Sequence, residues 1–174
     1  MNFEMFGKMK IADADAFLRD FLAEGAIVAN ELGITPAVEL DFLPSVLEKI
    51  AMTLEVTPRK PDPSLPAAIR ETQQYQAGLF DFTADSMRSI VGAAYVLGDA
   101  FVRTYPSLRW STGSPEYATA NMPVVVGFRG GQELPPLLVA RNMFSRFMRR
   151  AMGDNGFAHS LAAWRRDAED SVGG

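Results

Sequence analysis

Apolar residues recur every three or four positions along several long stretches of this chain, a spacing that predicts amphipathic helices. The first predicted helix runs from about Asp13 to Leu32 and ends at Gly33. Its expected inward-facing residues are Phe17, Leu18, Phe21, Leu22, Ile27, Val28 and Leu32. The most regular stretch predicts a second long helix from about Ala84 to Tyr105, with an apolar face of Met87, Ile90, Val91, Ala94, Leu97, Gly98, Phe101 and Tyr105.

The same spacing predicts further helices from Pro44 to about Glu55, from Leu137 to Met152 and from Phe157 to Asp170. A shorter helix is expected over Ser64 to Gln76. Between these elements stand Pro58, Pro61, Pro63 and Pro66, and each proline fixes φ and restricts the residue before it. We therefore expect an extended connector over 57–66 inside one globular domain that covers residues 1–174.

After Pro106 the pattern becomes that of strands. Leu108 to Ser111 and Pro123 to Phe128 predict two strands of a hairpin. A lone hairpin is marginally stable, so a strand from Glu133-Leu134, a strand from the segment Phe3 to Ile11, or a helix must support it. The predicted fold class is α+β: a mostly helical single domain with a small antiparallel sheet of two to three strands around 108–134.

Two local features of the predicted helices need a physical reason. Gly92 and Gly98 each cost about 1 kcal/mol relative to alanine inside a helix, which predicts the close approach of another backbone.

Asp41-Phe42 and Asp81-Phe82 both precede predicted helices. At such a start the phenylalanine can pack on the first turns while Asp81 or Thr83 caps the free N–H groups. A shared capping device and an internal duplication both explain this repetition.

The composition excludes several kinds of catalytic site. The 174 residues include no cysteine and one histidine, His159, so thiolate chemistry and a histidine metal cluster are excluded. No Gly-x-Ser-x-Gly elbow frames a serine, and no phosphate-binding glycine motif is present. We therefore expect a protein without catalytic residues, metal or cofactor.

The net charge of −4 is unevenly distributed. Residues 1–56 contain four basic residues against ten acidic ones, whereas the chain from Arg141 onward contains six arginines against four acidic residues. Phe144, Phe147 and Trp164 accompany these arginines at helical spacing and are expected in the core, so nucleic-acid binding is not expected. We expect the arginines to pair with the acidic N-terminal half or with a protein partner.

The chain resembles a group of small bacterial α+β proteins in which a Gly-x-Tyr-x-Gly-Glu helix precedes a Gly-x-Trp strand. The resemblance covers about residues 80–150 and is carried by Tyr95-x-x-Gly98-Asp99, by Trp110 and by the Pro123-Val-Val-Val strand, with aspartate where the group usually has glutamate. Similar proteins occur among the immunity proteins of bacterial toxin systems. The resemblance implies a non-enzymatic protein that binds and neutralises a toxin domain.

These observations give two sets of candidate site residues. An acidic partner-binding surface on the first helix is expected at Asp13, Asp15, Asp20 and Glu24. A candidate pocket is expected at Tyr95, Asp99, Arg103 and Trp110, although Asp99 and Arg103 are also spaced for a plain salt bridge.

Two other function classes stay open. The chain could be a structural or oligomeric component of a bacterial defence or secretion assembly, or a small-molecule-binding domain. The first residues form no basic, apolar leader, and apolar stretches such as Ile90 to Leu97 are shorter than the roughly 20 residues that cross a bilayer. We therefore expect a cytoplasmic location and no membrane partner.

Overall fold

A computed structural model describes residues 4–34 and 38–171. Its helices are α1 (Glu4–Gly7), α2 (Ile11–Glu31), α3 (Leu43–Ala51), α4 (Ala67–Arg70), α5 (Gln73–Gln76), α6 (Ala84–Thr104), α7 (Pro136–Met148) and α8 (Gly156–Glu169), with a 3-10 turn at Arg129–Gly131. Its strands are β1 (Val56–Pro58), β2 (Phe80–Phe82), β3 (Arg109–Thr112) and β4 (Pro123–Val126). The predicted mostly helical α+β class with a small antiparallel sheet is confirmed.

Helix α6 is the centre of the molecule and packs against α2 on one side and α7 on the other. The predicted close approach of another backbone is confirmed at Gly92 and is wrong at Gly98. A Cβ atom at Gly92 would lie 2.7 Å from Cγ1 of Val28 and 3.3 Å from the backbone nitrogen of Ala29. At Gly98 the close neighbour is a side chain rather than a backbone, because Trp110 of β3 fills the space there.

Strands β3 and β4 form the predicted antiparallel pair, in which Trp110 lies opposite Val125. Leu134 adds an isolated bridge to Val125 and so supplies the third strand position. The N-terminal segment supports the pair differently. Its residues Glu4–Gly7 form α1, and the buried Asn121 side chain donates hydrogen bonds to the carbonyls of Phe6 at 2.9 Å and Met9 at 3.1 Å. Phe3, the first residue of the strand that was offered as an alternative over Phe3 to Ile11, lies outside the described residues.

A second antiparallel ribbon pairs β1 with β2, and the sequence did not predict it. Val56 lies opposite Phe82, and Pro58 lies opposite Phe80. The expected connector over 57–66 therefore begins inside a strand. The single short helix expected over 64–76 is also corrected, because the chain forms two separate turns there, α4 and α5.

Several details of the predicted helices are wrong. Helix α7 ends at Met148 rather than at Met152. Helix α3 ends at Ala51 rather than near Glu55. Ile27 was expected to face inward but is 52% exposed, because it lies one 100° step away from Val28 on the buried side of α2. Phe42 is 63% exposed and α3 has no side-chain cap, since the Asp41 carboxylate pairs with Arg165 instead.

At the second Asp-Phe pair the expected capping is confirmed. The Thr83 hydroxyl oxygen accepts a hydrogen bond from the Ser86 N–H at 3.2 Å at the start of α6. The two segments thus differ in both capping and burial, so a capping device common to both is wrong.

In the part of the chain that the structure describes, no helix combines the length and the apolar character that crossing a membrane requires.

Candidate functional site

The predicted acidic surface is only partly assembled on α2. Asp13, Asp20 and Glu24 are exposed, and their spacing of seven and four residues places them on one side of the helix. Asp15 lies on a different side, where its carboxylate accepts a hydrogen bond from the Thr112 hydroxyl at 3.3 Å. The structure therefore groups three of the four predicted residues and separates Asp15 from them.

An arginine of α6 neutralises part of this surface. The Arg88 Nε group donates to Glu24 at 3.1 Å, and its guanidinium also pairs with Glu31. The hydrogen bond from Arg88 lowers the pKa of the Glu31 carboxyl, and the two glutamates raise the pKa of Arg88. The charge that remains available to a partner is concentrated at Asp13 and Asp20.

The candidate pocket residues Tyr95 and Trp110 serve mainly in packing. Tyr95 lies against Gly25 of α2. A Cβ atom added at Gly25 would be 2.5 Å from the Cβ atom of Tyr95. Burial raises the pKa of the Tyr95 phenol above its ordinary value of 10.0, and Asp99 adds to the rise. Trp110 packs edge-on against Phe21 with 5.7 Å between ring centroids.

Asp99 and Arg103 form the salt bridge that their spacing allowed. The Arg103 Nε group donates to Asp99 at 2.7 Å, and a second guanidinium nitrogen donates to the Val38 carbonyl at 3.1 Å. These bonds fasten α6 to the segment before α3. Four clefts on the described surface are lined by other residues, and binding at Tyr95, Asp99, Arg103 and Trp110 stays a prediction.

A cleft between α7 and the β1–β2 ribbon brings together more charged side chains than either predicted site does. We call it the arginine cleft, and it encloses about 470 Å³. Helix α7 and the turn after it contribute Arg141, Asn142, Ser145, Arg146 and Arg149. The opposite wall consists of Arg59, Gly78, Phe80, Asp81, Phe82 and Met87.

The sequence of α7 explains why arginines line this wall. Leu137, Ala140 and Phe144 turn one side of the helix into the core. The positions 141, 145 and 149 recur at four-residue spacing on another side and face the cleft. Between Glu133 and Asp154 the chain contains four arginines and no acidic residue, so nothing on this segment neutralises them.

The cleft contains four arginines and a single carboxylate. Arg59 pairs with that carboxylate, Asp81, at 3.7 Å between Nη1 and Oδ1. The guanidinium carbon of Arg149 lies 6.0 Å from the centre of the Phe80 ring, which is within cation–π range. No carboxylate among the described residues forms a salt bridge with Arg146 or Arg149. The cleft is therefore a strongly positive surface on a chain of net negative charge.

The arginines were expected to pair with the acidic N-terminal half or with a partner. Arg165 does pair with Asp41, which confirms the first alternative for that residue. Arg141, Arg146 and Arg149 line the cleft. The run of twenty residues without an acid, combined with the four-residue spacing, is the signal in the sequence that points to this cluster.

Guanidinium groups remain protonated at all ordinary pH values, so the cleft is suited to bind anions rather than to transfer protons. His159 lies exposed on α8 and does not line the cleft. Within 4–34 and 38–171, no group of three or more histidine, aspartate or glutamate side chains is arranged to hold a metal ion.

Comparison of the chain with protein-family models, with curated proteins and with solved structures returned no match.

Proposed function

We propose that this chain is a protein-binding protein that holds an acidic segment of its partner in the arginine cleft. The observation that carries the proposal is that Arg59, Arg141, Arg146 and Arg149 surround one cleft in which Asp81 is the only carboxylate among the described lining residues. Arginine is suited to such a role because its planar fork binds carboxylates through paired hydrogen bonds.

The length of the charged row favours an extended chain over a small ion. Arg141 and Arg149 are eight residues apart, about 12 Å along a helix axis. An extended peptide rises about 3.3 Å per residue, so about four residues would run past the whole row. Acidic side chains two residues apart on such a segment are separated by about 6.6 Å. This lies between the axial separations of Arg141 from Arg146 and of Arg146 from Arg149, about 7.5 and 4.5 Å.

The shape of the cleft supports the same choice. The cleft opens to solvent, and its wall opposite α7 includes the partly buried Phe80, Phe82 and Met87. A partner segment with acidic and apolar residues would satisfy both surfaces, and the positive field would speed its association.

The test uses a defined peptide probe, a fluorescein-labelled hexapeptide of alternating glutamate and valine with blocked ends. We expect measurable anisotropy binding to the wild-type protein that weakens at least about tenfold in the R146E/R149E variant. The matched control is R19E/R166E, which changes the net charge equally at exposed arginines away from the cleft. Equal affinity in wild type and R146E/R149E, or no binding of the probe, would contradict the proposal.

A second candidate function has its own support on α2. Asp13 and Asp20 share a side of the helix with exposed Ile27, and such a mixture of acidic and apolar groups suits a basic protein partner. This surface corresponds to the immunity function implied by the sequence resemblance, in which the partner is a toxin domain.

That candidate is tested by co-expressing the chain with the toxin of a neighbouring gene. If α2 carries the function, D13K/D20K loses the rescue of growth while R146E/R149E retains it. The reverse result assigns toxin binding to the arginine cleft, and failure of every variant and of the wild type to rescue removes the immunity function.

A further inference from the structure

The hydrogen-bond pattern of the β1–β2 ribbon shows which backbone N–H and C=O groups point away from the paired strand. The Arg59 N–H donates to the Leu79 carbonyl at 2.9 Å, and the Thr83 N–H donates to the Glu55 carbonyl at 3.2 Å. Because hydrogen-bonded pairs alternate in an antiparallel ribbon, Thr57 and Asp81, which lie opposite each other, also form such a pair. The N–H and C=O groups of Phe80 and Phe82 therefore point away from β1.

The two outer edges of this ribbon are chemically different. On β1 the outward positions are Val56 and Pro58, and proline has no N–H to offer a further strand. On β2 the outward positions are Phe80 and Phe82, each with an N–H and a carbonyl. The other edge of β2, which we call the open edge, pairs with no strand among the described residues.

The arginine cleft runs along this open edge. Side chains of Phe80 and Phe82 lie on one face of the ribbon and that of Asp81 lies on the other, yet all three line the cleft. A cleft bordered by both faces of one strand lies at that strand's edge. Its far wall is α7, whose Arg149 stands over the Phe80 ring.

We propose that the acidic partner segment binds in this cleft as a third strand beside β2, hydrogen-bonded to the backbone of Phe80 and Phe82. The inference rests on the proposed function and adds the mode of recognition. Main-chain hydrogen bonds hold the segment, and every second side chain, on the face shared with Phe80 and Phe82, meets the arginines of α7. The partner motif is therefore a short extended run with acidic residues at alternate positions.

The first test uses two N-methylated forms of the glutamate–valine hexapeptide, one methylated on every glutamate nitrogen and the other on every valine nitrogen. In an added strand only one of these alternating sets points toward β2. We expect one form to lose binding by at least about tenfold and the other to bind within about threefold of the unmethylated peptide. Equal affinity of both forms, weakened or not, would overturn the strand mode.

The second test measures amide hydrogen exchange in the protein by NMR with saturating unmethylated peptide. We expect exchange at Phe80 and Phe82 to slow at least about tenfold, while Asp81, already bonded to Thr57, changes little. Unchanged exchange at Phe80 and Phe82 would overturn the inference and leave anion binding in the cleft intact. Failure of the peptide to bind removes the proposed function, and this inference with it.

Discussion

The indole of Trp110 occupies the space that a side chain at position 98 would need. A Cβ atom at Gly98 would lie 2.2 Å from Cη2 of Trp110 and 3.0 Å from Cγ of Pro136. We expect Gly98→Ala to destabilise the fold by about 1–3 kcal/mol through overpacking, despite the better helix propensity of alanine. Denaturation followed by tryptophan fluorescence measures the change.

The control for this substitution is Gly153→Ala, since nothing lies within 4 Å of an added Cβ there. Replacing Trp110 by phenylalanine in the Gly98→Ala background should recover part of the loss, because the smaller ring leaves room for the methyl group. An additive double variant would show that the two residues do not compete for this space.

Stability should depend on pH through Arg88 and Glu31. The hydrogen bond from Arg88 holds the pKa of Glu31 below its ordinary 4.5, so the pair stabilises the fold above that pH. This contribution is lost as the pH falls through the lowered pKa. We expect Arg88→Gln to lower the urea midpoint at pH 7 and to match wild type more closely at pH 3.

Arg19→Gln is the control, since this exposed arginine of α2 forms no salt bridge among the described residues. Its difference from wild type should be the same at both pH values. A difference for Arg88→Gln that grows as the pH falls would have the opposite sign and would contradict the assignment.

Asn121 should control the attachment of the N-terminal segment. It lies at φ 61° and uses its amide to hold the carbonyls of Phe6 and Met9. Asn121→Gly keeps the left-handed backbone but removes both bonds, so a destabilisation of about 1–3 kcal/mol is expected. Faster hydrogen exchange of the Lys8 and Met9 amides, with α8 unaffected, would identify the cause as local release.

Of the two serines Ser86 and Ser89 on α6, we expect Ser86 to contribute more to the stability of the fold. It is buried, and its hydroxyl oxygen accepts the Glu55 N–H at 2.7 Å, which fastens the start of α6 to the residue before β1. Ser86→Ala leaves that N–H without its partner and should cost about 1–3 kcal/mol in a denaturation experiment. Ser89→Ala, which removes only a bond to the carbonyl of Asp85, should cost much less.

The sequence predicted best those elements whose structure follows from their own local pattern of apolar residues. Helices α2, α6, α7 and α8 follow from their apolar spacing, and β3 and β4 follow from the run around Val124. The ribbon of β1 and β2 was missed because each strand is three residues long and Pro58 argues locally against a strand. What defines it is pairing between segments about 25 residues apart, which no local pattern contains.

The candidate site shows the same division. The exposure of Asp13 and Asp20 could be predicted from composition and helical position, and so could the salt bridge of Asp99 with Arg103. The position of the arginines of α7 in one cleft could not be predicted, because it depends on which element packs opposite α7. Ile27 shows the limit most simply: its hydrophobicity predicts burial, whereas its angular position leaves it at the surface.

The proline on β1 has a consequence for self-association. Open-ended filaments need two receptive surfaces on every molecule, so that each new copy leaves a place for the next. Pro58 removes one of the two outward N–H groups on the β1 border, whereas the β2 border keeps both of its own. Contacts between copies through this ribbon are therefore favoured only where two β2 borders meet, which disfavours growth into fibres at this sheet.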